Sequence, residues 1–290
     1  MKRFLFFPSF SVGNVAQAMA KKQAMRNGLD ISFFSTKFPK EFRHPYFLVS
    51  AGHYYKKLTF SQDFGFFDPP DMLLLGDSGG YQIASGAMKW DPKVVPLIFE
   101  WLENNSHIAM NLDIPPRMNY AGKFTEALEI SKKNFKFFAE KQTGKTKFLN
   151  VLQGSDESTY LKWYESVKDF DFNGWGVGGA TTSIYRMMCA LNVLLSGREH
   201  LNKNREYLHI LGTSKVTDFF ILSQLQKSLN DIGSEMRVTT DSSTPSRAVV
   251  YGMYYHDVNF KNATFGSLHI PKERAENNKK VSKHINSNLR

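Results

Sequence analysis

The chain is punctuated eight times by a short apolar run, seven of which end near glycine, aspartate or glutamine, with stretches of helical period between most of the runs. The runs are 4–7, 46–50, 72–75, 107–112, 148–152, 174–177, 207–211 and 236–240. Helices are expected at 12–26, 94–104, 124–141, 158–168, 184–195 and 216–229, the first closing on Asn27-Gly28 as a C-cap. Short, almost wholly apolar runs suit strands buried on both faces, as in parallel sheet. Their alternation with helices leaves two architectures, a (β/α)8 barrel or a doubly wound open sheet. A count of eight predicts the barrel, an α/β fold, as a single domain over 1–270 with a basic tail at 271–290. That tail carries Lys272, Arg274, Lys279, Lys280, Lys283 and Arg290, and reads as a solvated end able to touch phosphates.

A barrel makes a specific claim about chemistry. Asp77, Asp113, Gln153, Gly178, Gly179 and Asp241 all fall at or just after expected strand ends. In this fold those positions converge on one face, where its active sites are built. Each has a plainer reading. Asp77 suits a strand-ending turn, Asp113 before Pro115-Pro116 a capped turn, and Asp241-Ser242-Ser243-Thr244 a helix N-cap. Gln153-Gly154 suits an ordinary loop, and Gly176-Val177-Gly178-Gly179 a packing or phosphate-loop feature. Their recurrence at successive strand ends favours a site over coincidence.

Composition narrows the partners. The formal net charge is +10. A balance of that sign favours a polyanion, nucleic acid before anionic membrane. The single cysteine, Cys189, lies in an apolar run and reads as a buried structural thiol. One cysteine excludes an intramolecular disulfide and a zinc site built from several cysteines. The opening Met1-Lys2-Arg3-Phe4-Leu5-Phe6-Phe7-Pro8 has an apolar core too short for a secretory leader, so a cytoplasmic protein is expected.

Two carboxylates across a pocket can perform a double displacement at an anomeric carbon. One attacks and the other moves a proton. A third acid beside an amide and backbone N–H groups can read guanine, whose N1–H and N2–H donors flank the O6 acceptor. Asp113 suits the donors, Gln153 and the backbone near Gly179 suit O6, and Tyr81 offers a stacking surface.

In order along the chain, Asp77-Ser78-Gly79-Gly80-Tyr81-Gln82, Val151-Leu152-Gln153-Gly154, Gly176-Val177-Gly178-Gly179, Leu211-Gly212-Thr213 and Asp241 with Pro245 and Arg247 resemble motifs of the queuine/archaeosine tRNA-guanine transglycosylases. The resemblance runs from about Phe4 to Phe265. It implies a (β/α)8 fold and exchange of guanine for a 7-deazaguanine base. Asp241 would be the nucleophile at C1′ and Asp77 the general acid/base. Ser78, Tyr81, Asp113, Gln153, Gly178 and Gly179 would bind the base, and Arg247 would approach the nucleic-acid backbone. His209 stands where the family often has a Met that packs on the base, and a core histidine is the other reading. The family's cysteine-rich zinc module after the nucleophile strand has no counterpart, since no cysteine follows Asp241. Its Asp-Glu-Cys-Pro-Pro is shortened to Asp113-Ile114-Pro115-Pro116.

A compact, zinc-free, basic chain resembles most the phage-type DNA-guanine transglycosylases, which place 7-deazaguanines such as preQ0 into DNA. The expectation is therefore DNA base exchange without metal or cofactor, in the host cytoplasm if phage-encoded, with tRNA as the alternative substrate. A glycosylase that lets water resolve the intermediate is a further reading. A non-catalytic nucleic-acid-binding relative is another, disfavoured because both carboxylates remain.

Overall fold

A computed structural model describes residues 1–9, 25–26, 29–30, 44–56, 73–116, 123–179, 183–250, 253–259, 261–262 and 264–269. The tail at 271–290 and most of the helix expected at 12–26 lie outside the described residues.

Eight parallel strands form one sheet: β1 (Leu5–Pro8), β2 (Tyr46–Ser50), β3 (Leu73–Asp77), β4 (Ile108–Met110), β5 (Lys147–Leu152), β6 (Gly174–Val177), β7 (Tyr207–Ile210) and β8 (Arg237–Ser242). Neighbours follow the order β1-β8-β7-β6-β5-β4-β3-β2. The first strand pairs with the last, Phe7 opposite Asp241. A parallel bridge between Ser9 and Leu48 draws β1 back towards β2. The sheet is a nearly closed barrel, and with its flanking helices the chain has the (β/α)8 fold.

The helices are α1 (Ala51–Tyr54), α2 (Gly80–Ala84), α3 (Val94–Asn105), α4 (Phe124–Lys141), α5 (Glu157–Val167), α6 (Ile184–Ser196), α7 (Val216–Asp231) and α8 (Thr244–Val250). Capping is clearest at α5. Asp156 accepts the Thr159 N–H while the Thr159 hydroxyl takes the Asp156 N–H, so two otherwise orphaned donors are satisfied. Phenylalanine supplies much of the seam between helices and sheet. Phe99 stacks on Phe148 at 5.5 Å, and Phe138 meets both rings edge-on.

Successive side chains of a strand point to opposite faces. On β6, Trp175 turns outward to Tyr164 and the Glu199 carboxylate, whereas a Cβ on Gly176 would point inward, 3.1 Å from the Met110 sulfur. Gly176 is in register with His209, and His209 with Thr239, so this inward row continues across β7 and β8. Two residues further along β8, on the same face, stands Asp241.

Several expected boundaries shift. β3 runs on through Gly76 and Asp77, and β8 through Asp241 and Ser242, so both acids lie inside strands rather than after them. The ladder explains this, because Asp77 pairs with Ser50 and Ser242 with Pro8. Met25 and Arg26 are extended and pair antiparallel with Leu29 and Asp30, so the expected helix does not reach its C-cap. Beyond β8 and α8, where the apolar pattern fades, the chain forms an antiparallel pair, β9 (Met253–Asn259) with β10 (Thr264–His269).

Candidate active site

Asp77 closes β3 and points into the barrel mouth beside Ser50 of β2, its partner in register. The residue keeps some contact with solvent, yet protein crowds its carboxyl closely. Loss of hydration is the main cause that pushes its pKa above the ordinary 3.8. The negative charge of Asp241 pushes in the same direction. The Ser50 hydroxyl, the Gly79 N–H and His209 pull the other way. The pull from Ser50 is that of a nearby dipole, since its buried Oγ meets no partner within hydrogen-bond geometry. The balance leaves Asp77 suited to carry a proton.

Asp241, on β8, is 8% exposed. Its Oδ1 accepts the Gly212 N–H at 2.6 Å and lies 3.2 Å from His209 Nε2. The opposite ring nitrogen of His209 lies 2.8 Å from Thr239 Oγ1. His209 is fully buried one row beneath Asp241, with the Phe7 ring edge-on at 6.4 Å. That position sets it under the carboxylate with no exposed surface of its own.

Asp113 and Gln153 form a second pair. Both are 5% exposed, and Gln153 Nε2 donates to Asp113 Oδ2 at 2.8 Å. The backbone on either side of Asp113 is tied to α4. Asn134 donates to the Leu112 carbonyl at 3.0 Å, and the Ile114 N–H donates to Ser131 Oγ at 2.8 Å. Gly178 is the floor for the glutamine, because a Cβ there would sit 2.2 Å from Gln153 Nε2. Its carbonyl accepts the Tyr160 hydroxyl at 2.9 Å, which fixes the end of β6 to α5. Gly179 follows in the left-handed region, with φ of 79°.

The remaining predicted residues divide. Tyr81, at the start of α2, is 65% exposed over the mouth side and can offer a ring face. Ser78 is buried, and its hydroxyl donates to the Asn111 carbonyl at 3.1 Å, so it ties β3 to β4. Arg247 is exposed on α8, six residues beyond Asp241. The structure therefore joins Asp77, Asp241 and His209 in one cluster and Asp113, Gln153 and Gly178 in another.

Sequence reasoning had not given Gly212, Thr239 or Ser50 a role at the acids. Ser50 and Thr239 come beside an acid or its partner through strand register and Gly212 through the turn after β7, and no spacing in the sequence signals that. A buried amide ladder was also missed. Asn111 Oδ1 accepts the Val151 N–H at 3.1 Å, and Asn150 donates to the Val167 carbonyl at 2.6 Å.

Among the described residues no group of three or more His, Cys, Asp or Glu side chains stands close enough together to hold a metal ion. Nor is any described helix long and apolar enough to cross a membrane. No family model and no curated protein matches the chain. What the site can do rests on its own groups. They are a carboxyl biased towards its protonated form, a carboxylate anchored through one oxygen, and an acid–amide pair with hydrogen-bonding edges.

Proposed function

We propose that this protein exchanges guanine in DNA for a 7-deazaguanine base such as preQ0, by double displacement through a covalent sugar ester of Asp241. The observation that carries the reading is the unequal treatment of two inward carboxyls at the mouth of one barrel. Burial and the neighbouring charge favour a proton on Asp77, while Asp241 receives hydrogen-bond donors. Two acids in such unequal surroundings divide into a proton carrier and a nucleophile.

In the first displacement a lone pair of the Asp241 carboxylate forms a bond to C1′. The C1′–N9 bond breaks, its electron pair leaves with guanine, and Asp77 gives the departing base a proton. In the second, the incoming base gives its N9 proton to the Asp77 carboxylate and attacks C1′. The C1′–O bond breaks and its pair returns to Asp241. Two inversions retain configuration.

Asp113 accepts from the N1–H and N2–H edge of the base. The second amide hydrogen of Gln153 and the backbone at Gly179 address O6, and Tyr81 stacks. The net charge of +10 and exposed Lys89, Lys93, Lys123, Lys215 and Arg247, on segments that follow strand ends, favour the phosphate backbone. The reacting carbon is C1′, so the absent 2′-hydroxyl of DNA removes no reacting atom. A paired guanine must first leave the stack, at a cost of a few kcal/mol.

The test supplies labelled preQ0 with guanine-containing DNA and, separately, with tRNA. Label should enter DNA. Label in tRNA alone would overturn the DNA substrate, and guanine release without label would mean hydrolysis instead of exchange. Asp241→Ala should abolish the adduct trapped on DNA. Asp77→Asn should slow exchange about 10²- to 10⁴-fold. Persistence of the adduct in the first variant, or full speed in the second, removes that residue from its role.

A further inference from the structure

One oxygen of the Asp241 carboxyl is committed and the other is not. Oδ1 faces the Gly212 N–H at 2.6 Å and His209 Nε2 at 3.2 Å, whereas Oδ2 meets no hydrogen-bond partner among the described residues. Behind the imidazole, Nδ1 lies 2.8 Å from Thr239 Oγ1. A threonine hydroxyl can donate to Nδ1 or accept from it. With the ring neutral and protonated on Nε2, or with the ring as imidazolium, Nε2–H donates to Oδ1. The remaining form, neutral with its proton on Nδ1, would set a nitrogen lone pair against a carboxylate oxygen. The chain Thr239–His209–Asp241 thus delivers a donor to Oδ1, inside a site where the imidazole has no exposed surface.

We propose that His209 is a positioning residue which, with the Gly212 N–H, holds Oδ1, leaves Oδ2 as the attacking oxygen, and speeds release of the sugar from Asp241 in the second displacement. This rests on the base-exchange reading. In a free carboxylate Oδ1 carries about half a negative charge and is a strong acceptor. Once Oδ2 is bonded to C1′, Oδ1 becomes an ester carbonyl oxygen and accepts more weakly. A donor at Oδ1 therefore stabilises the carboxylate more than the ester. As the C1′–Oδ2 bond breaks and its electron pair returns to the carboxylate, that hydrogen bond strengthens. The same donor slightly restrains the first attack. Its effect is to keep the covalent intermediate from becoming a resting state.

The experiment compares wild type, His209→Leu, His209→Gln and Thr239→Val. The glutamine amide can still donate to Oδ1 while its oxygen accepts from Thr239. Adduct formation is followed with a guanine-containing oligonucleotide alone, and adduct consumption by a chase of free preQ0. His209→Leu should slow consumption about tenfold relative to formation, the scale of one charge-assisted hydrogen bond, and raise the trapped fraction. His209→Gln should return the ratio towards wild type. Thr239→Val, which removes only a hydroxyl, should move it in the direction of His209→Leu by a smaller factor, and it decides the matter if the leucine variant does not fold.

A second readout needs no substrate. Infrared spectra of protein labelled with 13C-aspartate, assigned by difference from Asp241→Asn, report the hydrogen bonding of this carboxylate. The band should shift in His209→Leu and stay near wild type in His209→Gln. An unchanged step ratio or an unchanged band overturns the proposal. If wild type forms no adduct, the base-exchange reading fails by itself, and the infrared band alone decides whether His209 positions Asp241.

Discussion

Gly178 shows how little room the site leaves at the scale of a single residue. A methyl group there would collide with the Gln153 amide, which is itself bonded to Asp113. Gly178→Ala must push the glutamine aside and unmake that bond, while Asp77 and Asp241, the proposed reacting acids on β3 and β8, stay in place. The expected outcome is weaker binding of the base: KM for preQ0 rises about tenfold or more, and the chemical step at saturation changes far less. A fall in kcat at unchanged KM would remove Gln153 from base recognition. The same residues show what sequence could and could not tell. Asp77, Asp113, Gln153 and Asp241 were legible because each stands at the end of an apolar run. The partnership of His209 with Asp241 was not, because the two are 32 positions apart and meet only when β7 and β8 take their register. Ser78 belongs to the same motif as Asp77, and its hydroxyl donates to the Asn111 carbonyl, a contact that no spacing in the sequence signals.

Elements were more legible than contacts. The amphipathic stretch over Phe124–Lys141 and the apolar runs Tyr46–Ser50 and Gly174–Val177 have the limits their patterns suggest. β3 and β8 outrun theirs, because inward polar residues at a barrel mouth continue a ladder although they look like turn residues in sequence. One link between elements carries a pH dependence. Where β3 approaches the start of β4, the Leu74 N–H donates to His107 Nδ1 at 3.0 Å, so that nitrogen must stay unprotonated. Burial holds the His107 pKa below its ordinary 6.5, as it does for His44 and His53. The unfolded chain then binds protons more readily. The stability from this contact is complete above 6.5 and is lost as pH falls through the lowered folded value. Asp77 has the opposite sign, because its raised value makes ionisation costly as pH climbs above 3.8. Urea midpoints measured between about pH 7.5 and about pH 5 should fall for wild type and fall less for His107→Asn, whose side-chain oxygen can accept the same N–H at either pH. An equal fall in both would free His107 of this role.

At the scale of the whole molecule the barrel separates its two ends. The mouth holds the acids, and the opposite end holds a buried ionic network. Arg205 lies 3.1 Å from Glu199, both largely shielded from water, and also donates to the carbonyls of Phe172, Lys168 and Phe170. Tyr164 and Trp175 donate to the same carboxylate at 2.8 and 2.9 Å. Glu199→Gln strands the guanidinium and should cost about 3–5 kcal/mol of unfolding free energy, with Arg205→Met in the same chain recovering part of it. A loss under about 1 kcal/mol would mean that the arginine is satisfied by carbonyls alone. Pairing of β1 with β8 has a consequence of another kind, in the order of events during synthesis. Asp77 leaves the ribosome long before Asp241. The strand that shuts the barrel is also the one that brings Asp241, the proposed nucleophile, and completes the row that holds His209. On the proposed reading a nascent chain is chemically silent until its last strand docks, so closure of the fold and arming of the site are one event.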